Sequence, residues 1–163
     1  MTDNLNIKLD AIFDAREKRI AEVQRVRREI EAKKEEHLED FLRLQGSVIR
    51  PTLTALANNL IKRGHEAGIF ESADGQKKGA QILPAGTGIK FYRHKLLKTM
   101  SDVDTPYLWL LLDKATGRVE FHFNTSSHQK KGESGVSKAV DLSEVTSDLI
   151  HEEALKVIEL IYS

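Results

Sequence analysis

Cysteine is absent from this chain, which excludes a disulfide frame, a thiolate zinc site and a cysteine nucleophile. Proline occurs only three times in 163 residues, and neither proline nor glycine occurs between Leu5 and Gln45. No apolar run approaches the roughly 18 residues of a membrane-spanning helix, and Met1-Thr2-Asp3-Asn4 lacks the basic and apolar regions of an export signal. The formal net charge is zero, so the surface as a whole is not a basic attractor for nucleic acid or membranes. The expectation is a cytoplasmic protein with no membrane partner.

What is present is a long, densely charged segment with helical character. From Leu5 to Gln45 it would extend roughly 60 Å at 1.5 Å per residue, about twice the diameter of a compact domain of this length. Three-four spacing from Leu5 picks out Leu5, Leu9, Ile12, Arg16, Arg19, Val23, Val26, Ile30, Lys33, His37, Asp40 and Leu44, of which seven are apolar. This reads as an imperfect coiled-coil seam. A competing stripe through Ile20, Val23, Ile30, Leu38 and Phe41 predicts that the seam is short and drifts around the helix. Leu9, Ile12, Val23, Val26 and Ile30 are the candidate self-association residues, and a homodimer is the expected assembly. Pairs such as Arg25 with Glu29 and Glu29 with Lys33 suit a solvated helix at i,i+4. The basic cluster Arg25, Arg27 and Arg28 reads as part of that solvated face.

Gly46 and Pro51 divide the chain into an arm, residues 1–46, and an α+β domain, residues 47–163. Pro51 suits the first turn of a helix whose apolar face is Leu53, Leu56, Ala57, Leu60 and Ile61, with Gly64 as its C-terminal cap. Ala67, Ile69 and Phe70 read as a first strand, with His65 structural. Asp113 to Arg118 reads as a hairpin loop on a type I turn, with Gly117 at positive φ. Pairing Asp113 with Arg118 then sets Leu108, Leu110 and Leu112 beside Val119, Phe121 and Phe123 on one apolar face. Gly88 to His94 fits a neighbouring strand. Thr146 caps a last helix with the stripe Leu149, Ile150, Ala154, Val157, Ile158 and Ile161. The fold expected is α+β: a long N-terminal helix, then a twisted, mainly antiparallel sheet of about four to five strands with helices against one face.

The other sheet face is the candidate partner-binding site: Lys90, Tyr92, His94, Tyr107, Trp109, Glu120, His122 and Asn124. Its leading reading is an interface covered by the long helix, a second subunit or another protein, because exposed apolar patches mark interfaces. Tyr92, Tyr107 and Trp109 with Lys90 and His94 could alternatively stack bases and hold phosphate. Glu120, His122 and His94 carry the side-chain types of a metal or acid/base site, without any standard spacing. Gly86-Thr87-Gly88 and Gly132-Glu133-Ser134-Gly135 read as turns, neither being placed as a phosphate cradle or RNA clamp. The polar stretch Ser126 to Gly135, with Ser126, Ser127, His128 and Ser134, reads as a mobile loop, and Lys130, Lys131 and Lys138 as a small anion-attracting rim. No motif is specific enough to transfer a family's residues, and no catalytic residue, metal or cofactor is assigned. The function expected is a non-enzymatic interaction or assembly module that self-associates through its helix and recognises a macromolecular partner. A nucleic-acid-binding protein and a metal-assisted or acid/base enzyme are the alternatives.

Overall fold

The computed structural model describes residues 2–92, 105–127 and 131–163. Its longest element is α1, Thr2–Leu44, followed without a break by a π-helical segment, Gln45–Ile49, and by α2, Arg50–Lys62. Gly46 and Pro51, the expected boundary between arm and domain, therefore lie within one unbroken helical run. Proline has no N–H to give to the helical ladder. The ladder widens just before it, and the Arg50 N–H donates to the Gln45 carbonyl in the i→i+5 pattern of a π turn. Gly64, at φ 86°, ends α2 as expected. The Gly64 N–H donates to Ile61 O and the His65 N–H to Leu60 O, both at 3.0 Å.

Seven strands follow among the described residues: β1 Glu66–Ser72, β2 Gln76–Lys78, β3 Gln81–Leu83, β4 Gly86–Tyr92, β5 Tyr107–Asp113, β6 Arg118–Asn124 and β7 Ser134–Asp141. β1, β4, β5, β6 and β7 form one antiparallel sheet in that order, and β2 with β3 a small separate hairpin. The fold is α+β. Asp113 pairs with Arg118 and Leu110 with Phe121, the register read from alternation. Gly117 has φ 73°, and the Asp113 carboxylate accepts from Ala115 N–H and the Thr116 hydroxyl.

Gly86-Thr87-Gly88 is strand, correcting its reading as a turn. A Cβ at Gly86 would stand 2.5 Å from a Leu111 methyl and 2.8 Å from Leu110 O; one at Gly88 would stand 2.4 Å from the Phe70 ring and 2.7 Å from Leu108 O. Glycine is required there by close approach across the sheet, since both positions have ordinary negative φ. The supposed mobile loop is likewise shorter than expected. β7 begins at Ser134 and pairs with β6 through an irregularity at Phe121/His122, and Thr125 and Glu133 close the base through Thr125 N–H to Glu133 O at 2.8 Å. His128 and Lys130 lie outside the described residues.

The core lies between one face of the sheet and the helices. Ile89, Phe91, Leu108, Leu110, Val119 and Phe121 from the sheet meet Phe41, Ile49 and Leu53 from the rod and Ile150, Ala154, Val157 and Ile161 from α3, Ser147–Tyr162. Thr146 caps α3 by accepting the Leu149 N–H at 3.2 Å. α3 also buries Glu153, which accepts from Lys156 at 3.0 Å and from Ser137 at 3.2 Å. The root of the rod is fixed by Gln45, whose amide donates to the Thr87 hydroxyl at 2.6 Å and to Gly86 O at 3.3 Å. No helix among the described residues is long and apolar enough to cross a membrane.

Candidate functional site

Two surfaces stand apart from the core. The first is the second face of the sheet. Strand pairing sets Phe70, Gly88, Trp109 and His122 in one row, and Gly68, Lys90, Tyr107 and Asn124 in the next. Because Gly88 has no side chain, the rings on either side close over it. Phe70 and Trp109 lie 5.5 Å apart between centroids, Phe70 and Tyr107 6.3 Å, and Tyr107 and Trp109 6.4 Å, the last two edge-to-face. The Lys90 ammonium sits 5.0 Å from the centre of the Phe70 ring.

The structure thus brings Lys90, Tyr107 and Trp109 together and adds Phe70, which the sequence reading left out of the site. Alternation with Ala67 and Ile69 in β1 was the signal that could have placed Phe70 on this face. Glu120 and His122 meet separately, Oε2 to Nε2 at 2.9 Å. Asn124 is buried, its amide donating to Thr105 O at 3.3 Å, so it braces the strand end. Tyr92 lies one register step beyond Lys90, opposite Glu66, and His94 lies outside the described residues. The Trp109 indole N–H is buried without an acceptor among the described residues. No group of three metal-ligating side chains converges among them either.

The second surface is the outer part of α1. Every residue from Thr2 to Lys33 is exposed, a span of about 48 Å at 1.5 Å per residue. Burial begins at Lys34 and is complete at Phe41, which is 0% exposed. At the same level His37 Nδ1 lies 2.7 Å from Lys114 O in the β5–β6 turn, and a cleft of about 540 Å³ opens between Lys33, His37 and Leu44 on one side and Gly117 and Leu142 on the other. The chain's own arm therefore does not cover the aromatic face.

Nine large apolar side chains stand in water along this arm: Leu5, Ile7, Leu9, Ile12, Phe13, Ile20, Val23, Val26 and Ile30, between 39% and 67% exposed. All but Ile7 share one side. Eighteen residues make about five turns of α-helix, so Leu5, Val23 and the buried Phe41 lie on one line, as do Ile12 with Ile30 and Ile20 with Leu38. Along the free arm the two stripes share one side of the helix, broken by Arg16 and Arg19. Its charged flank is self-paired. Arg25 binds Glu22 at 2.5 Å and Glu29 at 2.6 Å, which raises the Arg25 pKa and lowers that of Glu22, in each case chiefly through the Glu22–Arg25 hydrogen bond. Lys33 pairs with Glu36 at 3.2 Å in place of the expected Glu29. The basic cluster is thus partly neutralised by its own helix.

No family model matches the chain, and no curated protein or solved structure matches it.

Proposed function

We propose that this protein is a non-enzymatic assembly module: a homodimer joined through its helical arm, each copy carrying a domain whose aromatic sheet face recognises a macromolecular partner. One observation carries the reading. An arm some 48 Å long holds an apolar stripe, broken only by Arg16 and Arg19, with none of the described residues of its own chain burying it. In proteins most helical stability comes from packing an amphipathic face. Six seam side chains on each of two copies, gaining about half of the roughly 1.5–3 kcal/mol available to a fully buried side chain, would contribute on the order of 10–20 kcal/mol. That is comparable with an association cost of about 4–15 kcal/mol.

The aromatic face supports recognition of a protein more than of a nucleic-acid strand, because its rings meet edge to face and Lys90 is already seated on Phe70. Base stacking uses free ring planes and a row of available cations.

Light scattering over a dilution series tests the assembly. The full chain is expected to have twice its monomer mass of 18.4 kDa. Val23→Glu with Ile30→Glu is expected to give monomers with an unchanged far-ultraviolet signature for the sheet. A full-length chain that stays monomeric at every concentration would overturn the proposal.

A further inference from the structure

The stripe on the arm specifies how a second copy lies against it. We propose that two arms pair antiparallel, with residue i of one opposite residue 35 − i of the other; this rests on the self-association reading above and fixes its geometry.

Three observations lead there. The first is steric. Leu5, Val23 and Phe41 lie on one line of α1, and at Phe41 that line is buried in the chain's own core. A parallel partner in register would have to continue along the same side past Lys34, where the globule already stands. An antiparallel partner occupies only the free part. With Leu5 opposite Ile30, it stays outward of Lys34.

The second is the spacing of the seam. Leu5, Leu9, Ile12, Arg16, Arg19, Val23, Val26 and Ile30 read the same in both directions about the midpoint between Glu17 and Lys18. In the proposed register Leu5 meets Ile30 of the second copy, Leu9 meets Val26 and Ile12 meets Val23. Arg16 and Arg19 meet each other at the centre, where long side chains can reach past the seam to water. Antiparallel helices set like flanks together. Phe13 then faces Ile20 of the second copy on one flank, and Lys8 faces Glu29 on the other. A parallel pair would place Phe13 beside Lys8.

The third is charge. Residues 2–14 carry Asp3, Asp10 and Asp14 against Lys8, a net −2. Residues 21–33 carry Arg25, Arg27, Arg28 and Lys33 against Glu22, Glu29 and Glu31, a net +1. Parallel pairing lays each block on its own likeness, whereas antiparallel pairing lays the acidic block on the basic one twice. Only the central block of Arg16, Glu17, Lys18 and Arg19 meets itself in either arrangement. Such complementarity fixes orientation and register more than affinity.

Since the chain has no cysteine, a spin label can be placed at a single chosen position. Asn4→Cys and Lys18→Cys both lie on the side of α1 away from the stripe. Labelled separately in the full-length protein and measured by pulsed dipolar spectroscopy, they separate the possibilities. The antiparallel register expects about 40 Å along the axis between Asn4 labels and a short distance, set only by the width of the pair, between Lys18 labels. Short distances at both positions would overturn the antiparallel arrangement while leaving the dimer intact. A long distance at Lys18 would overturn the register. Absence of any dipolar coupling, with a monomeric mass, would overturn the self-association reading itself.

Discussion

Gly88 shows how one missing side chain shapes a surface. Phe70 and Trp109 flank it from the neighbouring strands, and their ring centroids stand 5.5 Å apart because nothing rises between them. Gly88→Ala would thrust a methyl group to within 2.4 Å of the Phe70 ring and 2.7 Å of Leu108 O. The ring can swing aside but the carbonyl cannot without moving β5. The expected cost is about 1–3 kcal/mol, the range for overpacking. Thermal unfolding should show a lowered Tm, with a shifted emission from Trp109, the one tryptophan of the chain; a Tm equal to that of the parent would contradict the packing described.

Local chemistry of this kind was only partly legible beforehand. The register of β5 on β6 followed from Asp113, Gly117 and the two apolar rows, because a slip by one would have mixed Leu110 with His122. Gly86 and Gly88 misled, since glycine in a sequence signals a turn and close approach alike. Which of the two holds depends on Phe70, Trp109 and Leu111, residues brought up by other strands. Phe70 was missed although its alternation with Ala67 and Ile69 carried the signal, and β7 was missed because Ser134 to Lys138 is mostly polar, on an edge whose partner, β6, lies outside its own sequence window.

Among the elements, the rod formed by α1, the π segment and α2 is the distinctive one, and it is anchored by a polar contact as well as by apolar packing. Gln45 is 6% exposed and Thr87 0%, so their 2.6 Å hydrogen bond is shielded from water. Gln45→Leu keeps the bulk of the side chain but leaves the Thr87 hydroxyl without its donor. An unpaired buried group costs about 1–3 kcal/mol. Denaturant unfolding should show that loss in the midpoint with little change in slope, and light scattering should show an unaltered mass. A change in mass at unchanged stability would mean that the root of the rod takes part in assembly instead.

The hairpin turn is tied down more weakly. Its Lys114 ammonium meets Asp74 at 2.9 Å, and hydrogen bonding to that carboxylate raises the Lys114 pKa above its ordinary value. With a folded value raised, the stabilisation is fully present at neutral pH and is lost only as pH rises through the folded value. At 42% exposure of the Lys114 side chain the pair falls in the range of surface ion pairs, up to about 1 kcal/mol.

At the scale of the whole molecule, the arm makes the chain far longer than its globule. Antiparallel pairing over the free arm would place the two Phe41 residues about 70 Å apart along the axis, with a domain at either end. Small-angle scattering from the dimer should then give a pair-distance distribution with two maxima, one from within each globule and one from between them. A single maximum with a short tail would contradict both the projecting arm and the antiparallel dimer. The existence and length of this helix were plain from a stretch of some 40 residues without proline or glycine. What could not be read was that it runs straight through Gly46 and Pro51, because a π turn depends on the surroundings that hold it.

That π turn has a consequence for the alignment of the entire rod. Phe41 is separated by 18 residues from Val23 and by 19 from Leu60, yet both Phe41 and Leu60 are buried in one core. A π turn takes up about one residue more than an α turn, and one residue is worth about 100° of rotation. The additional residue is absorbed between Gln45 and Ile49, so Leu5, Val23, Phe41 and Leu60 fall on a single azimuth. An uninterrupted α-helix of the same sequence would carry the outer stripe about a quarter-turn out of phase with the buried face of α2. The five residues at the root of the arm thus act as a vernier, setting the compass bearing on which the apolar stripe beyond them points.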